Sequence, residues 1–305
     1  MSKPVLRLGT RGSPLALVQA NQVRDALMTA HSGLAVEIVT IRTTGDKVQD
    51  RPLSEIGGKG LFTREIEDGL LGSTLDIAVH SAKDMLPILP DGLMLAAFRE
   101  REDPRDALVS PGHIARIADL PQGATVGTVA LRRKALLLHA RPDLKTVPIR
   151  GNVDTRLRKL DEGIAQALLL ARAGLNRLGR GEVGVPVPVE DILPAAGQGA
   201  ITVECRSADH ATRDLLSAIN HTATETCVRA EFAMQAVLEG SCRTPIAGYA
   251  VLADGGLWLR ALIARPDGSE VITAERRGTV DDWHALGEDA GRELRGRAGP
   301  HFFEE

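Results

Sequence analysis

The sequence predicts an α/β protein of two lobes followed by a small C-terminal α+β domain with an antiparallel sheet. Three observations carry that reading. Short apolar strand patterns alternate with helical ones to about residue 100, and the alternation restarts after residue 120. The strand at residues 75–80 is apolar through its middle, as parallel strands buried on both faces tend to be. From about residue 222 the pattern changes to one long helix and then three strands joined by Asp254-Gly255-Gly256 and Pro266-Asp267-Gly268, which are turn signals. A chain of 305 residues is long enough for two or three such cores.

The first alternation opens with a strand at 5–8 and a turn at 9–12. Ser13 then suits an N-cap and Pro14 the first helical position. Leu15, Val18, Val23, Ala26 and Leu27 share one face of the helix that follows. A strand at 36–40 leads through Thr43-Thr44-Gly45-Asp46 into a polar, glycine-rich loop ending at Gly60. Residues 61–71 read as a helix with Phe62, Ile66 and Leu70 as its core stripe. The strand at 75–80 ends at Ser81-Ala82-Lys83-Asp84, and the charged run at 99–105 reads as a crossover between domains.

The second alternation has a strand end at 124–127, a helix at 129–140, a strand at 145–149 and a helix at 155–161. A strand at 165–170 and a helical turn at 174–177 complete it. Gly197-Gln198-Gly199-Ala200 leads into a strand at 201–204 that can return to the first lobe. The C-terminal part reads as a helix at 223–238, strands at 247–252, 257–264 and 270–276, and a helix at 282–295. The expected division is residues 1–100 with 198–218, residues 104–195, and residues 222–305.

Composition excludes several function classes. With 43% hydrophobic and 25% charged residues the chain resembles soluble globular proteins. No apolar run approaches a membrane span, and the N-terminus leads directly into a strand pattern without a secretory leader. Net charge of −3 and 3% aromatic residues argue against a nucleic-acid surface. Cys205, Cys227 and Cys242 have neither disulfide-framework nor zinc spacing, so no metal is expected and the thiols read as reduced in a cytoplasmic protein. No interface signal stands out, and a monomer is the default.

The chemistry concentrates past the strand ends. Of the basic residues, 30 are arginine and seven lysine. Codon bias would scatter arginines over helix faces. Instead Arg11 and Ser13, Lys83 and Asp84, Thr128 with Arg132 and Arg133, Arg150 and Arg156, and Arg177 each follow a predicted strand. In open α/β sheets that edge binds ligands, and the arginine fork suits carboxylates. The ligand expected there is a polyanion. Asp84 is the one acid among these cations, able to stabilise a cationic intermediate or move protons at a nitrogen; the plainer reading is a salt bridge. Asp46 and Asp154 read as helix caps. Gly57-Gly58-Lys59-Gly60 lacks P-loop spacing and reads as a loop. Cys242, in Glu239-Gly240-Ser241-Cys242, sits between a helix and a strand pattern, where a thiol is accessible; filler, nucleophile and tether are all open.

Ordered motifs then resemble those of the porphobilinogen deaminase family over nearly the whole chain. They include Arg7-Leu8-Gly9-Thr10-Arg11-Gly12-Ser13-Pro14-Leu15-Ala16, Gly57-Gly58-Lys59-Gly60-Leu61-Phe62 and Asp76-Ile77-Ala78-Val79-His80-Ser81-Ala82-Lys83-Asp84. Arg101-Glu102-Asp103-Pro104-Arg105-Asp106-Ala107, Leu131-Arg132-Arg133, Arg150-Gly151-Asn152-Val153, Leu193-Pro194-Ala195-Ala196-Gly197-Gln198-Gly199-Ala200 and Glu239-Gly240-Ser241-Cys242 continue them.

The resemblance implies two periplasmic-binding-protein-like lobes and a third domain bearing a dipyrromethane cofactor, held by a thioether on Cys242. It implies four condensations of porphobilinogen, each losing ammonia, and release of hydroxymethylbilane. Asp84 would be catalytic, stabilising the azafulvene cation. Ser81, Lys83, Asp84, Thr128, Arg132 and Arg133 would hold the cofactor; Arg11, Ser13, Gln19, Phe62, Arg150, Arg156 and Arg177 would hold the substrate. The loop at 47–60 would be a lid.

Two departures stand out. Val129-Ala130 replaces the family's usual serines, losing a hydroxyl donor, and Leu86 replaces its usual proline. An active enzyme is still expected. The competing readings are a non-enzymatic small-anion binding protein, which has no use for Cys242, and a degenerate deaminase that binds without elongating.

Overall fold

A computed structural model describes residues 5–47, 60, 62–112, 114–238, 244–299 and 302–303. In chain order the elements are β1 (Val5–Arg11), α1 (Pro14–Ala30), β2 (Ala35–Ile41), α2 (Thr44–Lys47), α3 (Arg64–Leu71), β3 (Ile77–Ser81) and β4 (Leu93–Phe98). Then come β5 (Asp106–Val109), β6 (Thr125–Gly127), α4 (Leu131–Ala140), β7 (Lys145–Val147), α5 (Val153–Asp161), β8 (Ala167–Ala171), α6 (Arg172–Arg177) and β9 (Val185–Pro186). The last are β10 (Ile201–Arg206), α7 (His210–Ser217), α8 (Thr222–Val237), β11 (Ile246–Ala253), β12 (Gly256–Ala264), β13 (Val271–Gly278) and α9 (Trp283–Ala298). By internal contacts the chain forms two units, residues 1–101 with 200–225, and residues 102–199 with 226–305.

The first unit holds a five-stranded sheet of order β2-β1-β3-β10-β4. β1 runs parallel to β2 and β3, and β10 is antiparallel to β3 and β4. Leu8, Ala20, Val23, Leu27, Ile77 and Val203 form the core beneath α1; Ile66, Leu70, Leu75 and Ala78 form a smaller one beneath α3. α1 begins as its sequence dictates: Ser13 is extended, its hydroxyl accepts from the Ala16 N–H at 3.3 Å, and Pro14 occupies the first turn.

The second unit repeats the same strand logic in the order β7-β6-β8-β5-β9. β6 is parallel to β7 and β8, while β5 is antiparallel to β8 and β9. The same unit carries the antiparallel sheet β11-β12-β13. One face of that sheet, through Leu257, Leu259, Ile263 and Ile272, packs on Ala230 and Met234 of α8 and Ala290 and Leu294 of α9. The other, through Ala247, Leu262 and Ala264, joins Leu136, Leu137, Ile192 and Leu193. The α/β class and the antiparallel C-terminal sheet are as the sequence predicts.

Several local expectations are corrected. α4 begins at Leu131, because Ala130 is extended and offers no side-chain cap. α3 begins at Arg64 and α5 at Val153, where Asn152 is the cap through its bond from the Thr155 N–H. Asp154 is no cap and instead pairs with Arg180. Thr44–Lys47 is helical where a loop was expected. The short strands β4 and β5 and helix α7 also escaped the pattern.

Candidate functional site

The arginine, lysine and hydroxyl residues read from the sequence as binding candidates lie at the carboxyl end of a parallel strand, or in the turn or helix that follows it. In the first unit, Arg11 closes β1 and Ser13 caps α1. Ser81 closes β3, and Lys83 and Asp84 lie in the 3-10 turn Ala82–Asp84. The register places β1 beside β3, so these two ends are neighbours. Arg11, Ser13, Gln19, Phe62, Ser81 and Asp84 line one pocket, together with His80 and Thr63.

The polar contacts there are specific. Gln19, 3% exposed, exchanges hydrogen bonds with Ser81, giving from Nε2 at 2.8 Å and accepting at Oε1 at 3.1 Å. Among the described residues the Asp84 carboxylate makes no ion pair or hydrogen bond, and the residue is exposed. The salt bridge read as its plainer role is therefore not made among them. Arg11 pairs with Asp46 and lies over the Phe62 ring, 4.1 Å from its centroid. Burial raises the Asp46 carboxyl, and the hydrogen bonds from Arg11 and Thr43, with the Arg11 charge, overcome this and hold it below the ordinary value.

His80, in the wall of the pocket, belongs to a buried ionisable group that sequence reasoning missed. His80 Nε2 is 3.0 Å from Glu204 Oε2, across β3 and β10, and Glu204 is wholly buried. Glu67 of α3, 7% exposed, is pushed above the ordinary glutamate value by burial, and the Glu204 charge adds to this. The apolar spacing of α3 hid Glu67, because the same periodicity that puts Ile66 and Leu70 inside carries it inward too.

In the second unit, Thr128, Arg132 and Arg133 follow β6, Arg150 follows β7 and Arg156 lies in α5. Arg177 ends α6 after β8. Arg132 and Arg133 are each 5% exposed and share the buried carboxylate of Asp106. Arg132 also donates to the Leu193 carbonyl at 2.7 Å, and Arg133 to the Leu169 carbonyl at 3.0 Å. Burial would raise the Asp106 carboxyl, but the two guanidinium charges overcome this and hold it far below the carboxylate range.

Arg177, half-buried, donates to the Gly199 carbonyl at 2.7 Å, and burial lowers its pKa against the opposing charge of Glu102. Arg156 donates to the Gly151 carbonyl at 2.8 Å. The Thr128 hydroxyl accepts from the Ala130 N–H at 3.2 Å. Asp106 and Gln198, which the sequence did not flag, organise this arginine group; Gln198 Nε2 donates to both Asp106 and the Pro104 carbonyl.

Cys242, the 47–60 loop beyond Lys47 and short of Gly60, and the Gly57–Lys59 part of the glycine motif lie outside the described residues. Cys205 and Cys227 are buried, and burial pushes the Cys205 thiol up to about 11. Among the described residues no His, Cys, Asp and Glu group could hold a metal, and no helix is long and apolar enough to cross a membrane.

The fold is thus that of an α/β protein whose two like sheets gather cations at their carboxyl edges, one beside a carboxylate that has no partner among the described residues. Residues 6–214 match the family described as porphobilinogen deaminase, dipyromethane cofactor binding domain, and residues 225–296 match its C-terminal domain. A porphobilinogen deaminase of Paracoccus denitrificans is 56% identical over 98% of this chain and 96% of its own length. A chloroplastic one of Pisum sativum is 49% identical over 98% of this chain and 83% of its own. A TRAP periplasmic solute binding protein from Desulfovibrio salexigens covers 75% of this chain and 74% of its own, with 12% identity and a TM-score of 0.43.

The chain belongs to the porphobilinogen deaminase family. Its activity is that of a transferase in porphyrin biosynthesis: four porphobilinogen molecules are condensed, with loss of ammonia, into the linear tetrapyrrole hydroxymethylbilane on a dipyrromethane cofactor.

Proposed function

We propose that the condensation is carried by Asp84, with Arg11, Ser13, Gln19 and Phe62 as its substrate-binding neighbours in the first unit. The observation that supports this most is the shared pocket: an exposed carboxylate lies with an arginine, a hydroxyl, an amide and an aromatic ring. Porphobilinogen offers the complementary set, a pyrrole ring with two carboxylates and an aminomethyl group. Arginine takes a carboxylate through its planar fork, Phe62 offers a face to the ring, and Asp84 is the acceptor for positive charge and protons at nitrogen.

The donor set also fits the cofactor, whose pyrroles carry the same acid side chains. Ser81, Lys83, Asp84, Thr128, Arg132 and Arg133 would hold it, with Cys242 as the thioether tether. When bound, it supplies the primer on which the chain grows. Arg132 and Arg133 already share Asp106, so their part is partly to carry net positive charge rather than free donors. Arg150, Arg156 and Arg177 would take substrate carboxylates in the second unit.

The three-domain division at residues 1–100 with 198–218, 104–195 and 222–305 is supported by three separate sheets. A cytoplasmic monomer acting on a small molecule, without nucleic acid or membrane, is the setting we infer from net charge −3 and the reduced-thiol reading. The test is intact mass before and after porphobilinogen, for the wild type, Cys242→Ser and Asp84→Asn. The expected result is a two-pyrrole adduct in the wild type and in Asp84→Asn but absent from Cys242→Ser. A ladder of heavier species should form only in the wild type. An adduct that persists in Cys242→Ser refutes the tether, and a full ladder in Asp84→Asn refutes the catalytic assignment.

A further inference from the structure

We propose that Asp46 is a positioning residue for the reaction: it holds Arg11 by one edge of its guanidinium and leaves the other edge for a substrate carboxylate. A guanidinium can meet a carboxylate side-on, through Nε and one Nη, or end-on, through both Nη atoms. Asp46 takes the side-on edge, with Oδ2 3.3 Å from Nε and Oδ1 2.5 Å from Nη2. Among the described residues Arg11 Nη1 has no partner.

The clamp is built on both sides. The Phe62 ring lies under the guanidinium at 4.1 Å, a cation–π contact that fixes its plane. Gly45 makes room for that ring: a Cβ there would lie 2.2 to 2.9 Å from three of its atoms, closer than a side chain can sit. Asp46 is itself held, its Oδ2 accepting from the Thr43 hydroxyl at 2.8 Å and the Thr43 N–H at 3.4 Å. The turn that carries it is tied to α3 because Glu65 Oε1 accepts from both the Thr44 N–H, at 2.8 Å, and its hydroxyl, at 2.5 Å.

A pair of this exposure, with side chains 23% and 24% accessible, contributes little to stability by itself. Its geometry matters more. A free arginine has many rotamers, and each must be given up when a carboxylate is captured. Here ring, carboxylate and turn have already fixed one. Gly45 and Asp46 are thus one device, in which the small residue seats the ring and the acid aims the fork.

The inference rests on Arg11 as a substrate-binding residue, and the test separates the two. KM and kcat for porphobilinogen would be measured on cofactor-loaded Asp46→Asn, Asp46→Glu, Arg11→Lys and the Asp46→Asn/Arg11→Lys double variant. Melting temperature would serve as the fold control. The Arg11 Nε–H proton signal of the substrate-free protein, assigned by its loss in Arg11→Lys, would report the clamp directly.

The expected result is a KM about tenfold higher in Asp46→Asn with kcat nearly unchanged, since loss of ground-state positioning moves binding rather than chemistry. Asp46→Glu should recover part of it, the Nε–H signal should shift in Asp46→Asn, and the double variant should be no worse than Arg11→Lys. If Arg11→Lys raises KM and Asp46→Asn does not, or if the two effects multiply, the positioning role is overturned. If Arg11→Lys leaves KM alone, the substrate-binding reading of Arg11 fails and the inference falls with it.

Discussion

Replacing Asp106 with asparagine should destabilise the second unit severely. The carboxylate is wholly buried and accepts from Arg132 Nη2 at 2.8 Å, Arg133 Nε at 3.1 Å, Arg133 Nη2 at 2.8 Å and Gln198 Nε2 at 2.8 Å. Both arginines are 5% exposed, so neither finds solvent when the charge is lost. Breaking one buried ion pair costs about 3–5 kcal/mol, because it strands a charge in a low-dielectric interior. Here two guanidiniums lose one counter-ion, while each keeps a carbonyl partner. The top of that range, roughly 4–5 kcal/mol, is therefore expected. That is a large share of the about 5–15 kcal/mol that holds a typical domain together.

The assay is urea unfolding followed by tryptophan fluorescence. Both tryptophans, Trp258 and Trp283, lie in the second unit, so the signal reports it selectively. With a urea slope of about 2 kcal/mol per molar, the midpoint should fall by roughly 2 M. The sign with pH follows from the depressed folded value of Asp106. Its contribution is complete above the ordinary aspartate value, about 3.9, and is lost only as pH falls on towards the folded value. The gap between wild type and variant should therefore stay constant from neutral pH down to about 4. A midpoint shift below roughly 0.5 M would refute Asp106 as the buried counter-ion.

Two further outcomes can be checked by calorimetry. Burial raises the folded pKa of Glu67, so its contribution is complete below the ordinary glutamate value, about 4.3, and is lost as pH rises through the folded value. The stability of Glu67→Gln relative to wild type should then climb across that window and level off above it, and parallel melting curves would contradict the buried-carboxylate picture. Ala130→Ser should stabilise α4 by about 1 kcal/mol, because residue 130 is extended at φ −81° and ψ 118° with no side-chain cap. That corresponds to a melting shift of about 2–4 °C, and no shift would mean that the first-turn amides are already partnered.

Much of the fold was legible because its signals are local. Ser13-Pro14 announces α1, the apolar middle of β3 announces a two-sided burial, and the glycine-bearing turns announce the C-terminal hairpins. The missed elements are short or atypical. β5 is four residues that begin on Asp106, an acid no strand pattern would accept. α2 is one turn of Thr-Gly-Asp-Lys, whose propensity favours a loop.

The candidate site was legible in part for a related reason. Cations after strand ends stand out in a linear reading, and sequence order alone places them at one edge. Their counter-ions do not stand out. Asp46 read only as a cap because its partner, Arg11, is 35 residues away at the end of β1. Glu67, His80 and Glu204 meet only when α3, β3 and β10 pack together.

The sequence by itself determined the α/β class, the run of motifs that marks the family, and a set of cations of the type that suits carboxylate-bearing pyrroles. These follow from periodicity, turn chemistry and functional groups, which are properties of neighbours along the chain. Only the tertiary structure decided which of those groups are spoken for. Arg132 and Arg133 are bound to Asp106, Arg11 is gripped along one edge, and the carboxylate of Asp84 has no partner among the described residues. The physical reason is that charge acts through space over a few ångströms, and folding alone sets which charges come within that reach.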